Sequence, residues 1–117
     1  MGVLTTHALN TMSGNPAVNL RIDLSMRVGD DWRLLKTART NAQGRTDTPL
    51  LAETEMQSAE YELLFHVAEY FAALGVPQSA PAFLDKVPIR FGIGDTAAHY
   101  HVPLLVTPWS YSTYRGS

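Results

Sequence analysis

The chain has 117 residues, 45% of them hydrophobic, and a formal net charge of −2, which supplies the core of one domain and hardly a second. Its seven arginines and two lysines are scattered singly, with no run to track a phosphate backbone or a lipid surface, so neither nucleic acid nor membrane is expected as a partner. The absence of cysteine removes disulfides, thiolate metal sites and a cysteine nucleophile. Residues 1–117 are therefore expected to form a single domain. With no secretory signal visible and no apolar stretch long enough to cross a bilayer, that domain is expected to be cytoplasmic.

Val3 to Leu9 reads as a first strand, leading into the turn formers Ser13-Gly14-Asn15-Pro16. From Val18 to Val28, apolar residues alternate with polar ones at a period of two, the pattern of a half-buried strand. Gly29-Asp30-Asp31 turns the chain into a third strand over Trp32 to Thr40. Asn41-Ala42-Gln43-Gly44 then leads to a short segment, Arg45 to Thr48, that Pro49 terminates. Tyr61, Leu63, Phe65 and Val67 alternate with Glu60, Glu62, Leu64 and His66. Val67 to Leu74 changes to good helix formers and stops at Gly75, with Pro77 just beyond, which predicts one short helix. Pro77 to Pro81 reads as a loop. Val87 to Ile93, His99 to Thr107 and Trp109 to Arg115 complete a mainly β chain, best arranged as an antiparallel sandwich.

The faces of these strands locate the chemistry. Tyr100, Val102, Leu104 and Val106 share one face and resemble core, which puts His99, His101, Pro103, Leu105 and Thr107 on the other. Val3, Thr5 and His7 likewise share a face, so His7 joins the other imidazoles if the first and penultimate strands are neighbours. His99-x-His101 with His7 also has the makings of a metal site, but no acidic residue stands beside them at a familiar spacing, and no metal is expected. His66 reads as structural. Arg45, leaving a turn, offers a planar permanent cation for an oxyanion or an anionic heterocycle, and Tyr114 offers a phenol that can orient a ligand.

The segments LTTHALN (4–10), TARTNAQGRTDTPLL (37–51), YELLFHVAEYF (61–71), FLDKVPIRFGI (83–93) and the tail HYHVPLLVTPWSYSTYRGS (99–117) cover most of the chain. Through them it closely resembles the 5-hydroxyisourate hydrolases, the enzyme branch of the transthyretin-like family. The terminal Tyr114-Arg115-Gly116-Ser117 is what separates these hydrolases from the hormone carriers. The resemblance implies a sandwich of two four-stranded sheets with one short helix. It implies His7, Arg45 and His101 as the catalytic set, with Tyr114 and Ser117 lining the same pocket and His99 outside the chemistry. It further implies opening of the 5-hydroxyisourate ring to 2-oxo-4-hydroxy-4-carboxy-5-ureidoimidazoline in urate degradation, without a cofactor. The implied assembly is a homotetramer with its sites at the dimer-dimer interface. The competing expectation is a non-catalytic carrier of a small aromatic ligand. Asn10, where relatives usually carry Asp, and Thr107, where Ser is common, depart from the pattern away from the site.

Overall fold

A computed structural model of the chain describes residues 2–116. In chain order its strands are β1 (Val3–Thr5), β2 (Ala8–Asn10), β3 (Asn15–Pro16), β4 (Arg21–Val28), β5 (Asp31–Arg39) and β6 (Leu51–Ala52). They are followed by β7 (Ala59–His66), helix α1 (Val67–Ala73), β8 (Lys86–Ile93), β9 (His99–His101), β10 (Leu104–Val106) and β11 (Tyr111–Ser112). One layer is the four-stranded antiparallel sheet β5-β4-β7-β8. The other comprises the four-stranded sheet β11-β10-β2-β3 and the three-stranded β6-β1-β9. Side chains from both layers meet in a single core, including Leu4, Leu104 and Val106 from one and Ile22, Leu24, Leu63 and Phe65 from the other.

The predicted strand faces hold with one exception: Leu4, Tyr100, Val102, Leu104 and Val106 are buried, while Thr5, His7 and His101 are half-buried and His99 is exposed, but Pro103, expected on the outer face, is buried where the strand breaks. Two predicted strands are nevertheless each divided in two. Val3 to Leu9 breaks between Thr5 and Ala8, and His99 to Thr107 breaks between His101 and Leu104. The breaks stand side by side, because β1 pairs with β9 and β2 with β10, both in parallel. Pro103 has no N–H to give the ladder at that point. The Val102 N–H to Thr5 O and Leu104 N–H to His7 O bonds, each 2.9 Å, carry the pairing across, with the Thr6 hydroxyl donating to Val102 O at 2.7 Å. His7 therefore sits in an interruption of the sheet rather than within a strand.

Other boundaries moved for local reasons. Asn19 takes a left-handed conformation (φ 61°), so the strand predicted from Val18 begins at Arg21 and Val18 stays exposed. The predicted strand over Trp109 to Arg115 contracts to Tyr111–Ser112, because the chain beyond it leaves β10. Thr113 Oγ1 donates to Pro103 O at 2.7 Å, and Gly116 forms an antiparallel bridge with His101. The helix begins where expected: the Val67 and Ala68 N–H groups both donate to Asp85 O, and Val67, Tyr70 and Phe71 face the core.

Candidate active site

Parallel pairing of β1 with β9 places Thr5 directly across from His101, and the period of two in β9 puts His99 on the same face. The Thr5 hydroxyl reaches both rings, lying 2.8 Å from His101 Nδ1 and 3.0 Å from His99 Nε2. On the far side of β9 the tail returns, with the Gly116 N–H donating to His101 O at 2.8 Å. Gly116 lies so close that a Cβ there would stand 2.7 Å from His101 Cδ2. One edge of the His101 ring is thus held by Thr5 and another is covered by the tail.

Arg45 is delivered by a turn that Asn41 organises. The Asn41 side-chain oxygen accepts from the N–H groups of Gln43 and Arg45, and the Asn41 N–H donates to Arg45 O at 2.7 Å. Gly44, at φ 76°, presses the turn onto β2: its carbonyl accepts from the Ala8 N–H at 2.8 Å. The expected short segment from Arg45 to Thr48 forms no strand. It bends instead into one wall of a cleft of about 360 Å³ whose other wall carries Thr5, Thr6, His99 and His101.

Burial first, then the positive charge of Arg45 and the neighbouring His99 and His7, hold the His101 imidazole below the ordinary histidine range. Each of these penalises the imidazolium, so His101 is a neutral ring at physiological pH, with the lone pair a base requires. Among the described residues its Nε2 has no hydrogen-bond partner, and the ring lines a cleft that also holds a guanidinium. This pairing of an open imidazole nitrogen with a fixed cation suits water activation at a carbonyl. No group of three or more His, Cys, Asp or Glu with metal-binding geometry occurs among the described residues.

Of the residues singled out in the sequence, Arg45 and His101 line this cleft. His7 stands beside it, two residues along from Thr5 and close enough for its charge to act on His101. Tyr114 lines a different cleft within the chain, with Ile89, Phe91 and Tyr100. The next residue explains its direction: the Arg115 guanidinium lies 4.2 Å over the Tyr100 ring and donates to His99 O, drawing the tail across β9. Ser117 lies outside the described residues. His66 is structural as read, a buried ring bonded at 2.8 Å to Asp23 Oδ2.

The HIUase/Transthyretin family model matches residues 4–116. The chain belongs to this family. Within it, the 5-hydroxyisourate hydrolase of Ralstonia nicotianae is 54% identical over the whole of both chains. The structure of Klebsiella pneumoniae 5-hydroxyisourate hydrolase superposes with a TM-score of 0.82 at 33% identity, covering 100% of each chain. An (S)-allantoin synthase structure superposes at 0.93 with 45% identity. It matches 99% of this chain, which spans only 44% of that longer one. Membership of the HIUase/transthyretin family accounts for the sandwich and its single helix. Thr5 and Asn41, which hold His101 and Arg45 in this family member, were not singled out in the sequence. The only signal for Thr5 was its place on the His7 face.

Proposed function

We propose that this protein hydrolyses 5-hydroxyisourate to 2-oxo-4-hydroxy-4-carboxy-5-ureidoimidazoline, a step of urate degradation. The observation that carries the reading is the shared cleft of Arg45 and His101, with His101 held as a neutral base. Full-length likeness to 5-hydroxyisourate hydrolases supports the same reading. In the proposed reaction, His101 takes a proton from water through Nε2 as the oxygen adds to a ring amide carbonyl. Arg45 stabilises the oxyanion that develops there, typically the larger electrostatic contribution. The proton then passes to the departing ring nitrogen as its bond to carbon breaks. His7 is assigned to orient the water, and Tyr114 and Ser117 to bind substrate. No cofactor enters the scheme.

The assembly proposed is a cytoplasmic homotetramer with sites at the dimer-dimer interface. Trp109, Tyr111 and Tyr114 are 61, 46 and 60% exposed, and three large aromatic side chains left in solvent within six residues favour a partner surface. A second reading, passive carriage of an aromatic ligand, is weaker because the cleft is lined by Arg45, Asp47, His99, His101 and threonines rather than by apolar groups. The test is to generate 5-hydroxyisourate with urate oxidase and follow its ultraviolet decay. Acceleration over the spontaneous rate is expected, and an unchanged decay would favour the carrier.

A further inference from the structure

The Thr5 hydroxyl has one proton and two lone pairs, yet it contacts two imidazole nitrogens, His101 Nδ1 at 2.8 Å and His99 Nε2 at 3.0 Å. It can donate to only one of them, so at least one ring must present an N–H to the hydroxyl oxygen. If that ring is His101, its proton sits on Nδ1 and its Nε2 carries the lone pair. If it is His99 alone, the His101 proton sits on Nε2 and that nitrogen has no lone pair to act as a base. The tautomer of a histidine is set by the partner of its other nitrogen, and here that partner is Thr5.

Charge decides between the two. Around His101 stand Arg45 and Asp47 from the turn, His7 beyond β1, His99 on its own strand and Arg115 from the tail. Arg45 shares the cleft with His101, and a guanidinium favours a ring that turns a lone pair rather than an N–H toward it. Thr5 occupies Nδ1, so Nε2 is the ring nitrogen without a hydrogen-bond partner among the described residues.

We infer that Thr5 is a positioning residue that keeps His101 in the Nδ1–H tautomer, its oxygen accepting a hydrogen bond from Nδ1–H while its own O–H donates to Nε2 of the exposed His99. This assignment rests on the proposed hydrolytic role of His101 but concerns the ring's state, which is measurable without turnover. A free imidazole prefers its proton on the Nε2 side, so removing the Thr5 oxygen lets the ring relax to the form that is useless as a base.

The test combines nitrogen-15 NMR of histidine-labelled protein with steady-state kinetics. In the unmodified protein above the His101 transition, His101 is expected as the Nδ1–H tautomer. Thr5→Val is expected to shift it to Nε2–H and to lower kcat by roughly ten- to a hundredfold, part of what a positioned base supplies. KM is expected to stay nearly unchanged, and Thr5→Ser, which restores an oxygen, to recover most of kcat. An Nε2–H tautomer in the unmodified protein would overturn the inference, and this measurement needs no variant to fold. So would an unchanged tautomer and kcat in Thr5→Val. Failure of the unmodified protein to hydrolyse 5-hydroxyisourate would instead refute the functional reading, leaving the NMR result to decide the tautomer.

Discussion

Gly44 and Ala8 stand backbone against backbone: the Ala8 N–H donates to Gly44 O at 2.8 Å, and a Cβ on Gly44 would lie 2.4 Å from Ala8 O. This contact ties the turn that carries Arg45 to the residue after His7. Gly44→Ala meets both a left-handed φ of 76° and an immovable carbonyl. The φ alone costs roughly 1–3 kcal/mol, and the clash pushes the turn off β2. Thermal unfolding is expected to show a lower Tm, and the folded fraction to retain little activity because Arg45 has moved.

Neutral His101 is the proposed base, so its depressed pKa sets the acid limb of the rate profile. The base is lost as pH falls through that pKa, and the limb in kcat/KM is expected on the acid side of 6.5, the ordinary histidine value. Arg45→Gln removes one of the charges that depress it. An NMR titration of His101 in that variant is expected to move toward 6.5, and a transition that moves the other way would contradict the electrostatic origin.

His101→Ala is expected to lower kcat/KM by about a hundred- to ten-thousandfold, the usual contribution of a general base, and Arg45→Ala and His7→Ala to abolish most activity. His99→Ala is expected to be milder, since His99 is exposed and lines the cleft without an assigned step in the chemistry. Circular dichroism and sedimentation of each variant separate loss of chemistry from loss of fold. Full activity in His101→Ala would remove the site assignment.

Gly116 tests the tail without altering a polar group. Since a Cβ there meets His101 Cδ2 at 2.7 Å and Cβ at 3.0 Å, Gly116→Val must displace either the imidazole or the strand that bridges to it. The expected result is a lower kcat with little change in Tm, because Thr113 and Arg115 still tie the tail to the sheet when the Gly116 bridge is disturbed.

Asp23 and His66 form a part-buried polar pair of the scaffold. Burial pulls the Asp23 carboxyl upward, but hydrogen bonds from His66, Thr37 and Arg21 outweigh it and hold it below 3.8. A depressed carboxylate stabilises the fold above its unfolded value, and that contribution fades as pH falls through the lower folded value. Stability is therefore expected to decline below about pH 3.8 in the native protein, and less so in Asp23→Asn. Asp23→Ala leaves the His66 ring without its partner at a cost of roughly 1–3 kcal/mol, readable as a shift in the urea midpoint.

The long strands β4, β7 and β8 were legible because each carries an uninterrupted alternation against one core. The break at His7 was not, since the side-chain period runs straight through it from Val3 to Leu9. What interrupts the ladder there is Pro103, nearly a hundred positions away in the chain. A period of two specifies faces and not neighbours, so neither the parallel pairing of β1 with β9 nor the seat of Thr5 between two imidazoles was visible. Threonine in a strand is ordinary β composition, and only the pairing register makes it a partner of His101. Tyr114 shows the opposite difficulty: its chemistry was plain, but its direction depends on Arg115 stacking on Tyr100.

The hydrogen bond between Thr5 and His101 spans 96 positions of the chain, whereas β4, β5, β7 and β8 pair mostly with sequence neighbours. Closing so long a loop costs more chain entropy than forming a hairpin. In a refolding time course, the β5-β4-β7-β8 sheet is expected to recover first and catalytic competence last. Activity then reports that the two ends of the chain have found each other, and it is a stricter measure of correct folding than sheet content.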